Sequence, residues 1–163
     1  GENMMISRLV RYPNSDTTFA KSYIHAGGKV GVLVEFTVNK AKASDPAFQE
    51  YAANVAMHIA AVSPAYVNPS EVPADLVAKE KEIAMAQISG KPANVMEKIA
   101  EGKINKYYED TCLVKQAFVK EPSMSIEKYT ATTSASLGDT IKINRFARFV
   151  LGEGVKSEPE TTN

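Results

Sequence analysis

The hydrophobic residues follow two different periods, and the switch between them organises the chain. From Val30 to Val38 every second residue is apolar, so Val30, Val32, Val34, Phe36 and Val38 share one face opposite Gly31, Leu33, Glu35 and Thr37. This alternation predicts a half-buried strand. Burying its five side chains contributes on the order of 7–15 kcal/mol before entropy, an upper bound because unfolded chains are already partly compact. Such a face needs a second layer. It is supplied by Phe48, Ala52, Val55, Ile59 and Val62, spaced four, three, four and three apart, which form the apolar stripe of a helix. Asp45 is placed to cap it, Pro46 suits its first position, and Ser63-Pro64 ends it.

Around this pair the pattern predicts further elements. Met5 to Tyr12 reads as a mixed strand stopping at the turn Pro13-Asn14-Ser15-Asp16, and Thr17 to His25 reads as a second strand. Strands followed by a covering helix give the expected fold class: α+β, an antiparallel sheet of three to four strands with helices on one face. After prolines 64, 69 and 73 the periodicity becomes purely helical. Ala74 to Ser89 carries Leu76, Val77, Ile83, Ala84 and Ile88 among charged residues; Gly90-Lys91-Pro92 interrupts it. Val95, Met96, Ile99, Ala100, Ile104, Tyr107 and Tyr108 then resume. Two helices on so short a link form an antiparallel hairpin, an arm about 24 Å long with a coiled-coil-like seam.

Leu113 to Pro122 reads as extended, and Ser125 to Ser134 as a short helix working against its threonines. Asp139 to Leu151 reads as a long strand, with Ile141 and Ile143 facing one way, Phe146 and Val150 the other, and a bulge near Asn144-Arg145. The polar tail 156–163 reads as disordered. The expected organisation is therefore a core in two parts, 1–72 and 113–155, interrupted by the hairpin 73–112.

Charge narrows the function. Lys plus Arg and Asp plus Glu both number 19 in 163 residues, and tryptophan is absent. Phosphate-neutralising proteins carry a basic excess, so direct nucleic-acid binding is not expected. No apolar run reaches the roughly 20 residues of a membrane span. Gly1 to Met5 lacks the basic and apolar regions of a signal peptide. The single cysteine, Cys112, reads as a small core residue and fits a reducing compartment. A cytoplasmic protein is expected, a mitochondrial or plastid matrix being the alternative.

Candidate chemistry centres on His25, Gly27, Gly28 and Lys29. A phosphate loop needs a hydroxyl after the lysine and a helix after the glycines; here Val30 follows and a strand begins. The glycines read instead as a hairpin turn supplying positive φ. His58, bordering the helical stripe, reads as a packing residue. Neither histidine has a Cys or acidic residue at ligand spacing, so no metal, cofactor or catalytic group is expected. The residues alone describe a binding module.

Several runs, in order, resemble a known family. They are Gly1-Glu2-Asn3; Ser-Tyr-Ile-His-Ala-Gly-Gly-Lys-Val-Gly-Val-Leu-Val-Glu from Ser22 to Glu35; and Ala56-Met57-His58-Ile59-Ala60-Ala61. Glu71-Val72-Pro73, Gly90-Lys91-Pro92, Glu101-Gly102-Lys103, Gln116-Ala117-Phe118-Val119 and Phe149-Val150-Leu151-Gly152-Glu153-Gly154 follow. Together they resemble the C-terminal region of elongation factor Ts. The resemblance implies a nucleotide exchange factor, not an enzyme, which binds elongation factor Tu and loosens its GDP. It implies a Tu contact at Tyr23, His25, Ala26, Gly27 and Gly28, and a dimerisation module in the hairpin, with Leu76, Ile83, Ile99 and Tyr107 as candidate interface residues and a homodimer as a possible state. The family's N-terminal helical domain, with its Thr-Gly-Ala-Gly signature, and its Thr-Asp-Phe-Val wedge have no counterpart in this sequence. The expectation is binding to Tu with poor exchange by this chain alone. A self-association module acting through the hairpin is the alternative. An enzyme built on His25 and Lys29 is the third reading.

Overall fold

The computed structural model describes residues 4–153 apart from 14, 89 and 91. Gly1-Glu2-Asn3, Asn14 of the first turn, Ser89 and Lys91 of the hairpin link, Gly154 and the tail lie outside the described residues. The fold is α+β, with a three-stranded antiparallel sheet in the order β1-β2-β5. Strand β1 (Thr18–His25) turns directly into β2 (Val30–Thr37), and β5 (Lys142–Val150) pairs with the other side of β2. The central strand is thus the one with the cleanest alternation: Val32, Val34, Phe36 and Val38 are buried and Val30 is half-buried.

After a single helical turn, α1 (Lys40–Ala43), helix α2 (Pro46–Val62) lies across that apolar face. The side chain of Asp45 accepts from the Ala47 N–H at 2.9 Å, with Pro46 in the first turn. Ser63 ends the helix in the left-handed region at φ 55° and donates its N–H to the Ile59 carbonyl. Phe48, Ala52, Val55 and Ile59 are fully buried as the stripe requires, but Val62, the last residue of the helix, is 41% exposed. Tyr51, Asn54, Ala56, His58 and Ala60 are also buried, since α2 has neighbours on a second side. That layer is formed by a 3-10 turn (Leu113–Lys115), β3 (Ala117–Phe118), β4 (Glu121–Ser125) and α5 (Ile126–Leu137), which add Leu113, Phe118, Ile126 and Leu137 to the core.

Between α2 and this layer the chain projects the hairpin, α3 (Ala74–Ala86) and α4 (Ala93–Thr111). Gln87 bonds Lys103, while Val77 and Lys81 border one hollow with Glu101, Ile104 and Asn105, so the helices run antiparallel. Gly90 takes φ 92° in the link, as only glycine does easily. Pro92 precedes the helix as its cap residue. At the root the two ends meet: Ala65 and Tyr66 donate to the Thr111 carbonyl, Leu113 donates to Tyr66 and Val114 to Val67.

Three expectations need correction. Met5 to Tyr12 is not a strand: the segment makes no ladder and lies as a strap on the open side of the sheet, so the third strand of the sheet is β5. Arg8 sits 4.3 Å from the Phe149 ring centre and bonds the Arg148 carbonyl, and Tyr12 lies 4.3 Å beneath Arg145. Leu113 to Pro122 is not one extended run but a 3-10 turn (Leu113–Lys115), strand β3 and the turn into β4. In β5, Ile143 and Phe146 do not face opposite ways. Glu35 pairs with Arg145 and Phe36 with Ile143, so Asn144 is an inserted residue that restores the phase, and both side chains reach the core. Helix α5 runs past Ser134 to Leu137, capped by the Ser125 hydroxyl and closed by Gly138 at φ 62°.

Candidate functional site

The corner between β1 and β2 concentrates the unusual geometry. Strand β1 is an edge of the sheet, pairing with β2 alone. Tyr23 and His25, two residues apart, project from the same face. The Tyr23 hydroxyl lies 3.0 Å from His25 Nδ1, with the rings stacked 5.8 Å apart at 25°. This fixes the imidazole plane and leaves Nε2 without a hydrogen-bond partner among the described residues. Tyr23 is half-buried against the core, while His25, Ala26, Gly27, Gly28 and Lys29 are all exposed.

The turn itself is strained. Ala26, Gly27 and Gly28 take φ 52°, 66° and 95°, and Lys29 donates back to the Ala26 carbonyl. The two glycines adopt this freely; Ala26 adopts it at a cost of about 1–2 kcal/mol. The path throws the His25–Lys29 corner outward and then delivers Val30 into register opposite His25.

One side of the corner continues into an apolar hollow of about 920 Å³. Ile24, Gly28, Lys29, Gly31, Phe149, Val150 and Leu151 line it together with the strap from Met4 to Arg8. The strap turns Arg8 and Tyr12 toward the sheet and leaves Met4, Met5, Ile6 and Leu9 more than three-quarters exposed. On the same side of the sheet, Arg145 Nη2 and Nε grip the buried Glu35 carboxylate at 3.0 and 3.1 Å. These bonds hold the Glu35 carboxyl below the usual carboxylate range, against the opposing effect of burial.

The sequence-predicted residues thus fall into two groups. Tyr23, His25, Ala26, Gly27 and Gly28 form one continuous corner. Leu76, Ile83, Ile99 and Tyr107 sit on the arm: Ile99 and Tyr107 are half-buried, and Leu76 and Ile83, seven residues apart on α3, are exposed. The arm's own seam is made by buried Ala84, Ile88 and Ala100. Among the described residues no cluster of three or more His, Cys, Asp or Glu is placed to hold a metal, and no helix is long and apolar enough to cross a membrane.

Comparison with known proteins decides the family. The family model "Elongation factor TS" matches residues 1–153. The chain belongs to the elongation factor Ts family. Elongation factor Ts of Geobacter sulfurreducens is 50% identical over 140 residues, covering 84% of this chain and 65% of that protein. Elongation factor Ts of Trichlorobacter lovleyi is 46% identical over 161 residues, 97% of this chain and 51% of that protein. The chain therefore spans about half to two-thirds of the length of these elongation factor Ts relatives.

Gln116 was missed as a residue of interest. The motif Gln-Ala-Phe-Val marked its neighbourhood, but only the fold places Gln116 against His58, 3.0 Å from Nε2.

Proposed function

We propose that this chain is the Tu-gripping part of a guanine nucleotide exchange factor. It binds elongation factor Tu through Tyr23, His25 and the Ala26–Gly28 turn, performs no covalent chemistry, and promotes GDP release poorly by itself. The observation that carries this reading is the corner: an exposed histidine held by Tyr23, on a turn with three successive positive φ values, at the free edge of a sheet. Strain kept at an exposed turn is a feature of recognition sites, because nothing in the core requires it. Family membership supplies the class of partner.

Exchange requires a factor that prefers the nucleotide-free state; a binder with equal affinity for both states shifts nothing. The Thr-Asp-Phe-Val wedge that the family resemblance assigns to this task has no counterpart in this sequence. The test pairs two measurements on the 163-residue chain. Titration against Tu gives binding that His25→Ala weakens by about 1–2 kcal/mol. Release of fluorescent GDP from Tu is stimulated only weakly. Unchanged affinity in the variant removes His25 from the contact, and full stimulated release overturns the division of labour.

A second reading, self-association through the arm, is favoured by the exposed Leu76 and Ile83 on one stripe of α3. Light scattering on Leu76→Glu decides it: a mass that falls from dimer to monomer supports it, and a monomeric mass in both proteins rejects it.

A further inference from the structure

We propose that Arg8 and Glu153 act together as a plug that closes the outer edge of β5 against a second copy of this chain. The register of β5 on β2, continued by the Leu151 N–H donating to the Lys29 carbonyl at 2.8 Å, fixes which main-chain groups point outward. They are those of Phe146, Arg148 and Val150. A row of such groups on an edge strand is a template for another strand. Here the row is interrupted. Arg8 Nη2 donates to the Arg148 carbonyl at 2.9 Å, and the Val150 N–H donates to Glu153 Oε2 at 3.2 Å. The same carboxylate oxygen lies 3.2 Å from Arg8 Nη2, which joins the two side chains. The Glu153 N–H closes the Val150 carbonyl at 3.0 Å. The N–H and carbonyl of Phe146 and the N–H of Arg148 have no partner among the described residues.

The pair copies a strand residue in side-chain form. One residue of a parallel neighbour donates its N–H to one carbonyl and accepts, at its own carbonyl, from the N–H two positions further on. Arg8 supplies that donor and Glu153 that acceptor, at Arg148 and Val150. Both ends of the described chain contribute. Val150-Leu151-Gly152-Glu153 is a tight turn with Gly152 at φ 82°, which folds Glu153 back over the edge. The strap brings Arg8, seated 4.3 Å from the Phe149 ring centre. Both side chains are half-exposed, where an ion pair by itself contributes little. What the pair contributes is the closing of backbone groups, and that depends on which side chain donates and which accepts.

A second copy is the partner this edge fits. A two-fold axis normal to the sheet sets two identical edges antiparallel, so that each meets the other's donors with acceptors. At the far end of β5 the inserted Asn144 already breaks the row. With Val150 plugged, only Phe146 and Arg148 remain between the two, too short a run for a ladder. The other edge of the sheet, β1, is guarded by charge instead. Lys21, in mid-strand, bonds Gln49 of α2 at 3.1 Å, and an added strand would cover its ammonium. The plug lies on the edge opposite the His25 corner, so closing β5 leaves that corner open to a partner.

The test compares the 163-residue chain with two double variants by light scattering and nitrogen-15 amide exchange, from micromolar to millimolar protein. In the unmodified chain the Val150 amide exchanges roughly tenfold more slowly than those of Phe146 and Arg148. Arg8→Ala combined with Glu153→Ala removes that protection in dilute protein. On concentration its mass rises above that of the unmodified chain, and the amides of Phe146, Arg148 and Val150 become protected together. Arg8→Glu combined with Glu153→Arg keeps an ion pair but sets acceptor against carbonyl and donor against N–H, so it associates as the alanine variant does. Four results each overturn the plug: a Val150 amide as fast as its neighbours, a mass in the alanine variant that follows the unmodified chain throughout, new protection outside residues 146–150, or a charge exchange that restores the original mass.

Discussion

Helix α2 and the arm are both regular helix, yet they are held by different physics. Nine of the 17 residues of α2 are buried, against one of 13 in α3 and one of 19 in α4. Helix α2 is squeezed between a sheet and a second layer, so its side chains are large: Phe48 meets Phe19, Phe36 and Tyr51 with ring centres 5.3, 5.7 and 6.2 Å away. The arm has one partner surface per helix, and its seam closes on Ala84, Ile88 and Ala100, two of the three being alanines. Its exposed faces rely on helix propensity and on pairs such as Lys106–Asp110 at 2.9 Å. Buried area concentrates stability in the core; the arm keeps its shape with little to spare.

Four substitutions test this contrast, from the largest effect to the smallest. Phe48→Ala removes a fully buried ring at the meeting point of sheet and helix. It is expected to cost about 3–5 kcal/mol in urea unfolding, with all elements lost together. A cost under 1 kcal/mol would mean that the core does not carry the fold. Ala100→Leu overfills the arm's seam and costs about 1–3 kcal/mol. The loss should show as faster amide exchange confined to residues 74–111, and equal loss in β2 would erase the distinction between the regions. Asp45→Ala removes the side-chain cap of α2, for about 1 kcal/mol of global stability and no change in the arm.

The smallest effect is a change in pH dependence. Glu35 has its pKa lowered in the folded state, chiefly by its hydrogen bond to Arg145. Its contribution is present above the ordinary carboxylate range, near 4.3, and is lost as pH falls through the folded value. Arg145→Ala should therefore flatten the acid side of the stability–pH curve and leave the arm's exchange untouched. An unaltered curve would show that the pair adds nothing to the folded state.

The same contrast explains what could be read from the residues. The alternation of β2 and the Asp45-Pro46 start of α2 are local signals whose partners lie a few residues away, and both match the fold. The hairpin was legible because two periodic runs sit on either side of Gly90. The strap deceived because Met5 to Tyr12 is rich in apolar residues and stops at a strong turn signal; what it offers the sheet are Arg8 and Tyr12, through cation–π contacts rather than a backbone ladder. The second buried side of α2 was hidden because its cover arrives only with Leu113, Phe118 and Ile126, more than 50 residues later. The corner at His25 was visible as a turn, but its Tyr23 bond and the strain at Ala26 exist only in three dimensions.

The way the arm is rooted has a consequence for how such a chain varies. Tyr66 and Cys112 stand side by side as bridge partners, so everything between them leaves the core and returns to the same spot. Closing a loop there constrains the ends but not the length of what lies between, and the entropic cost of a longer loop rises only slowly. An arm of this kind can be shortened, extended or replaced by a tight turn while the path of the surrounding backbone stays as it is. It is the natural place for this architecture to gain or lose mass over evolutionary time, and the first place to graft a foreign segment.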